Sequence, residues 1–414
     1  MISPPPSLTT APWLKDPGVQ RIFSLLATGG EEARIVGGAV RNALMGLPVG
    51  EIDFATTATP EAVTAAALAA GIKTVPTGIE HGTVTLVFEG NAYEVTTLRQ
   101  DIATDGRHAT VRFGRDWTAD AERRDFTMNA LSVDSTGAVH DPLGGYADLI
   151  ARRVRFIGDA DTRIAEDRLR ILRFFRFHAH CGEGPIDPAG LGACVRARND
   201  LRDLSAERVG QEMRRIVVAP RAVETVALMQ ETGIMPVVLG GVAYLAQFAA
   251  AVAFEGEVRA APAVAPRLAA LACRIAEDVA RVSAALRLAN VERARMFGAL
   301  SAAQSFTPLP NARAGRALLY RLRAELFCDG LAHARAWHAE GDAASWRDLY
   351  DLPARWQAPA FPLTGRDVVG AGVSRGPAVG ELLRAVEAWW IAEDFAPDEQ
   401  ALRRLLQQLL AAQQ

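Results

Sequence analysis

The sequence predicts an α+β amino-terminal region followed by an all-α remainder, and three observations carry that expectation. Segments rich in β-branched residues at strand spacing are confined to roughly the first 150 positions. From about residue 160 strand signals nearly vanish, and alanine-rich helical stretches follow. Aromatic residues make up only 7%, which disfavours a β-rich sandwich. The length of 414 residues suggests two to four domains. A 50% hydrophobic share with 22% charged residues supplies a sizeable core and excludes global disorder.

Taken in order, residues 1–15 are proline-rich and read as a loose tail. Asp16 and Pro17 are a cap and first residue for a helix through 27. A short strand is expected at 34–36, a turn at Gly37-Gly38 and a helix over 39–45. Another strand follows at 52–56 and a helix at 60–70. Strands at 83–88 and 92–98 flank a Glu89-Gly90-Asn91 turn. Residues 166–180 read as one strong helix, with further helices at 205–217 and 220–231. Breaks are expected at 182–185, at Gly240-Gly241 and over 357–365. The domain scheme is a tail (1–20), an α+β domain (21–150), and helical segments over 151–235 and 236–414.

Net charge is −3, which excludes a histone-like polycation but not a nucleic-acid partner, because binding depends on local charge. Lys15 and Lys73 are the only lysines against 43 arginines, and the guanidinium suits bidentate phosphate and base contacts. Cys181, Cys194, Cys273 and Cys328 are far apart and form no CxxC pair, so neither a zinc site nor a disulfide framework is expected. The start lacks the order of a signal peptide, and the longest apolar run, 242–254, is too short to span a bilayer and reads as a buried helix. A cytoplasmic protein without membrane attachment is the expectation; the oligomeric state is left open.

Four constellations bear on chemistry. In Arg34-Ile-Val-Gly-Gly-Ala-Val-Arg41, a strand, two glycines and a helix start form an anion cradle, with Arg41 one turn further on. Ten or so residues later, Glu51 and Asp53 alternate around Ile52 on a strand, which puts two carboxylates on one face. Oxygens beside a phosphate cradle suit Mg²⁺. Glu122-Arg123-Arg124-Asp125 could bind a triphosphate and ribose, while the following 141–149 reads as a structured turn that sets geometry. In Glu166-Asp167-Arg168-Leu169-Arg170, Asp167, Arg170, Arg173 and Arg176 form a drifting stripe on one helix flank, and Glu166 precedes Arg170 by four. Residues 151–180 hold eight arginines against four acids, an excess that favours an anionic ligand over a neutral salt-bridge lattice.

The stretches VGGAVRNALMGLPVGEIDFATTA, ERRDFTMNALSVD, DPLGGYADL and EDRLRILRFFRF, in that order, resemble the class II tRNA nucleotidyltransferases and bacterial poly(A) polymerases. The resemblance implies a polymerase-β-like palm over 21–150, a neck over 151–235 that reads the nucleotide base, and a tRNA-binding body and tail over 236–414. It implies addition of CMP and AMP to tRNA 3′ ends from CTP and ATP with Mg²⁺. By position, Glu51 and Asp53 match metal-binding catalytic carboxylates, and Glu94 stands where a third is often found. Gly37, Gly38, Arg41, Arg124 and Asp125 match the nucleotide-binding positions of the palm. Asp167 and Arg170 match the pair that reads the base, and Arg173 and Arg176 match further nucleotide contacts. Two positions depart from the usual pattern: Asn42 and Glu51 each replace an aspartate.

Hydrogen bonding accounts for base choice without the family. A carboxylate at Asp167 accepts from cytosine N4 or adenine N6, whereas guanine O6 and uracil O4 present a lone pair. Local motifs do not separate full CCA addition from poly(A), CC-only or A-only addition. The stretch 99–117, rich in Gly, Asp and Arg, reads as a mobile loop that could control the switch from C to A. The reading from another class is a catalytically silent RNA-binding homologue, against which the intact carboxylates and EDxxR stretch argue. A fused His-Asp phosphohydrolase is not expected, because only His333 and His338 follow residue 180.

Overall fold

The computed structural model describes residues 4–78, 82–105, 108–338 and 342–412, with the backbone alone at 77, 100–105 and 108–111. The chain divides into two compact units, Met1–Val238 and Leu239–Gln414.

The first unit carries α1 (Pro17–Leu26), β1 (Ala33–Val36), α2 (Gly38–Leu44), β2 (Asp53–Thr56), α3 (Pro60–Ala69), β3 (Lys73–Gly78), β4 (Thr83–Phe88) and β5 (Asn91–Thr97). Then come β6 (Arg99–Asp105), β7 (His108–Phe113), α4 (Trp117–Glu122), β8 (Ser132–Val133), β9 (Val139–His140) and α5 (Gly145–Ile150). Helices α6 (Ala160–Glu166), α7 (Arg170–Cys181), α8 (Pro188–Arg196), α9 (Ala206–Val217) and α10 (Ala222–Glu231) follow, and α11 (Ile234–Leu239) ends one residue past the unit's boundary. The main sheet runs β3-β4-β5-β2-β1-β8-β9, and its β2–β5 pair is parallel. One rung matters most: Val36 pairs with Asp53, and Asp53 pairs with Glu94. The carboxylates of Asp53 and Glu94 are therefore neighbours across adjacent strands, and the Gly37 turn begins one residue beyond the same rung.

Apolar burial fixes this sheet. Asp16 caps α1 through the Gly18 and Val19 amides at 2.9 and 3.1 Å, as the sequence predicts. Helix α1 then buries Val19, Ile22, Phe23 and Leu26. Phe23 meets Phe54 edge-on at 5.0 Å, and Phe54 meets Tyr93 at 6.1 Å. A second aromatic cluster packs α7 on the segment before it: Phe126 lies 4.9 Å from Phe156, which stacks on Phe174 at 5.3 Å.

The second unit is helical among its described residues, from α12 (Leu245–Glu257) to α21 (Glu399–Ala411). Phe254, Phe306, Phe327, Leu331 and Trp346 centre one of its cores, and Leu382, Val386, Trp390 and Leu402 another. Among the described residues no helix is long and apolar enough to cross a membrane. All four cysteines are free.

The mixed sheet followed by helices agrees with the expected fold class, and five local expectations need correction. Residues 4–15 are docked rather than loose: the Leu8 amide donates to Gly137 O at 2.8 Å, the Ser7 hydroxyl to the same oxygen at 2.9 Å, and Leu14 is buried. Strand β2 starts at Asp53, so Glu51 precedes it. Within the stretch expected to be a mobile loop, β6 and β7 pair antiparallel, Arg99 with Phe113 and Asp105 with His108. Gly106 and Arg107 of that stretch lie outside the described residues. The 242–254 run is half-buried: Val242 is exposed, and α12 buries only Phe248, Ala251 and Phe254. The helix expected over 166–180 breaks at Asp167, which is extended at φ −151° and ψ 107°. There the carboxylate accepts the Leu169 amide at 3.1 Å, a short turn that competes with helix.

Candidate active site

The cradle is a strand-to-helix turn that needs glycine. Gly37 has φ +69°, and a Cβ there would sit 3.8 Å from Arg124 Nη1, so the Arg124 guanidinium lies directly over the turn. One turn on, Arg41 donates to Asn129 Oδ1 at 2.7 Å and to Asn42 Oδ1 at 2.9 and 3.2 Å. Burial lowers its pKa, and among the described residues no carboxylate pairs with it. A half-buried guanidinium with no carboxylate in direct contact is prepared to receive an anion. Asn42 suits its place where an aspartate is usual: its oxygen accepts from Arg41 and its amide donates to Pro48 O at 3.1 Å.

Opposite the cradle stand the carboxylates. Asp53 is pushed up to about 6 by burial, then by the negative charges of Glu94 and Glu51, against the pull of Arg124. Three acids share one field, with Asp53 at its centre. Among the described residues no three such groups converge closely enough to form a finished metal site. The donor set nonetheless fits a hard divalent cation: three carboxylates share one field, and their mutual repulsion is what such an ion relieves.

Positions 123–125 divide their work. Buried Asp120 on α4 holds Arg123 at 2.7 Å and Arg124 at 2.8 Å. Arg163 donates to the carbonyls of Arg123 and Arg124, both at 2.5 Å. Asp125 faces inward: it accepts both Arg173 Nε and Nη2, at 2.7 and 2.5 Å, and the Asn129 amide at 2.9 Å. Burial alone would raise the Asp125 pKa; Arg173 and these hydrogen bonds outweigh it and lower it. Asp125 thus anchors Arg173 and Asn129 at the wall of the cleft.

The break at Asp167 sends its carboxylate to Arg208 on α9, at 2.8 and 3.0 Å. The stripe expected on one helix is therefore split, with only Arg170, Arg173 and Arg176 on α7. Arg170 pairs with Glu166, the i, i+4 partner read from sequence, and donates to Arg163 O at 2.8 Å. Arg176 pairs with Glu212 of α9 at 3.1 Å; burial first, and then neighbouring cations, push it down to about 10. The Phe177 ring gathers three guanidiniums, Arg176 at 4.5 Å, Arg41 at 5.0 Å and Arg173 at 5.5 Å.

The cleft enclosed by these groups measures about 960 Å³, and nine arginines and four acids line it. Glu51, Asp53, Gly37, Gly38, Arg41, Arg124, Asp125, Asp167, Arg170, Arg173 and Arg176 all line this one space. Glu94 joins only through the Asp53 rung. Sequence reasoning missed Asp120, Asn129, Arg163, Phe177, Arg208 and Glu212. Arg208 and Glu212 do stand four apart on an expected helix, a spacing that reads equally well as a solvated pair.

Residues 33–155 match the family model described as the poly A polymerase head domain, and residues 185–245 match a probable RNA- and SrmB-binding site of polymerase A. The chain is 31% identical to the mouse mitochondrial CCA tRNA nucleotidyltransferase 1, covering 93% of this chain and 88% of the mouse protein. It is 29% identical to the CCA-adding enzyme of Limosilactobacillus fermentum, over 94% and 96% of the two chains. The solved Bacillus stearothermophilus CCA-adding enzyme in complex with CTP superposes with a TM-score of 0.75 at 27% identity, over 96% and 99%.

Proposed function

The chain belongs to the CCA tRNA nucleotidyltransferase family, and from that premise we propose that its amino-terminal cleft adds CMP and AMP to the 3′ end of tRNA, using CTP and ATP and no nucleic-acid template. The observation that carries the reading is the single rung that joins cradle and carboxylates: Gly37 follows Val36, Val36 pairs with Asp53, and Asp53 pairs with Glu94. A phosphate held over Gly37-Gly38 is then beside the acids that serve the reacting oxygens.

Glu51 and Asp53, with Glu94 near, would hold Mg²⁺. When bound, that ion lowers the pKa of the attacking 3′-hydroxyl and neutralises charge on the leaving pyrophosphate. The protein's own share is position and charge. Arg124, fixed by Asp120, and Arg41, which lacks a carboxylate, receive the phosphates. Asp167 and Arg170 read the base. Asp167 Oδ1 is engaged by Leu169 N and Arg208, while Oδ2 takes Arg208 alone, which leaves a lone pair for an exocyclic amine. Both CTP and ATP offer that amine, so one cleft serves both.

The helical second unit is assigned to tRNA, and the cytoplasm is the proposed location, in keeping with four free thiols. Purified protein incubated with Mg²⁺ and tRNA lacking its CCA end, with CTP and ATP offered separately and together, tests the reading. Two C additions with CTP alone and completion with both nucleotides support it. A growing A tail would identify a poly(A) polymerase instead.

A further inference from the structure

Nucleotidyl transfer joins two substrates, and the arginine-lined cleft accounts for one of them. On the other side of Glu51 lies a separate cavity of about 270 Å³, bounded by Trp13, Asp16, Glu51, Ile52, Asn91 and Tyr93 among others. The two cavities share Glu51. Their chemistry is opposite. The cleft is lined by nine arginines, whereas no Lys, Arg or His is among the residues lining the smaller cavity. Two acids and two aromatics would repel a phosphate and accept a neutral, flat group.

Trp13 is held firmly at this wall. Upstream, Ser7, Leu8 and Thr9 bond the 136–137 turn; downstream, Leu14 is buried and its carbonyl accepts the Gln20 side chain at 2.7 Å. Tyr93 is fixed against Phe54 and beneath Gly18 of α1. Among the described residues the half-buried Trp13 ring stacks on no other ring or cation. A partly exposed indole that lines a cavity next to a carboxylate proposed for catalysis, its chain neighbours held on both sides, can serve as a stacking platform.

We propose that this cavity is the acceptor subsite, and that it takes the base and sugar of the RNA's terminal nucleoside stacked on Trp13, with the 3′-hydroxyl directed toward Glu51. The inference rests on the function proposed above. It separates the substrates by charge: the triphosphate binds among arginines, and the uncharged end of the acceptor binds where there are none. The acids of the small cavity keep a second triphosphate out.

The test uses steady-state kinetics of the full chain with an RNA acceptor and CTP, beside melting temperatures. Trp13→Ala should raise the acceptor KM by roughly 5- to 150-fold, the span of one lost base–aromatic stack, and leave the CTP KM within about twofold. Trp13→Phe should restore most of the loss. Trp13→Leu, which keeps an apolar side chain in the wall but removes the stacking face, should also raise the acceptor KM alone, and it serves if Trp13→Ala misfolds. Unchanged acceptor KM in folded Trp13→Ala or Trp13→Leu, or equal rises for both substrates, would overturn the subsite. Absence of any incorporation by the wild-type chain would instead defeat the proposed function.

Discussion

Asp53 is the side chain on which the proposed chemistry turns, because the charges of Glu94 and Glu51 both act on it. Asp53→Ala should lower incorporation by at least about 10²–10³-fold, the scale of losing a principal charge-stabilising group, while gel-shift binding of tRNA persists. Turnover near the wild-type rate would remove the acid cluster from the reaction. Asp167 offers a different kind of test. Asp167→Ala deletes the acceptor of an exocyclic amine, so UTP and GTP should gain about one to two orders of magnitude in relative kcat/KM against CTP and ATP. If Asp167 were only a surface partner of Arg208, the variant would melt slightly earlier with its nucleotide ratios intact. Most candidate residues were legible in the sequence because glycine pairs, alternating acids and arginine spacings are local patterns. What holds them was not. Arg208 with Asp167 and Glu212 with Arg176 are ion pairs between positions whose significance only tertiary contact reveals, and the i, i+4 pair of Asp120 with Arg124 reads from sequence no differently from a solvated one. Asp125 was legible in its motif, but its pairing with Arg173 across 48 residues was not.

Among elements, the turn at 141–145 shows how a segment without chemistry governs a site. Asp141 accepts the Gly145 and Tyr146 amides at 2.7 and 3.0 Å, and a Cβ on Gly145 would fall 2.0 Å from the Thr127 carbonyl. Backbone cannot swing aside as a long side chain can. Gly145→Ala should therefore cost about 1–3 kcal/mol of stability and raise the KM for CTP, because displacement of 127–129 moves Asn129 off Arg41. A melting temperature and a KM both within error of wild type would show that the turn yields freely. The strands flanking Glu89-Gly90-Asn91 could be read in advance because apolar alternation and turn chemistry agree there. The β6–β7 hairpin could not, because polar and charged residues mask its alternation. The break between α6 and α7 was hidden by good helix formers on both sides; only the local bonding of Asp167 and its capture by Arg208 set it.

For the molecule as a whole, acid is the revealing perturbation. His178 in the first unit and His333 in the second are buried, and burial lowers each from 6.5 to about 4; Arg221 adds to the effect at His178 and His338 at His333. Their folded-state pKa values lie below the unfolded ones, so the unfolded chain takes up protons first. Their contribution to stability is whole above about pH 6.5 and drains away as pH falls toward 4, by about 1.4 kcal/mol per unit for each histidine. Urea midpoints at pH 7.5 and 5 should therefore separate, and His333→Phe should narrow the gap for the second unit; equal slopes in variant and wild type would discount the residue. Charge is also distributed unevenly in space. The chain carries a net −3, yet nine arginines face four acids across one cleft. On a purification column the protein should consequently behave against its isoelectric point. At pH 7.5 it should be retained by phosphocellulose or heparin, whose anionic groups imitate the ligand, and pyrophosphate should release it at far lower ionic strength than sodium chloride.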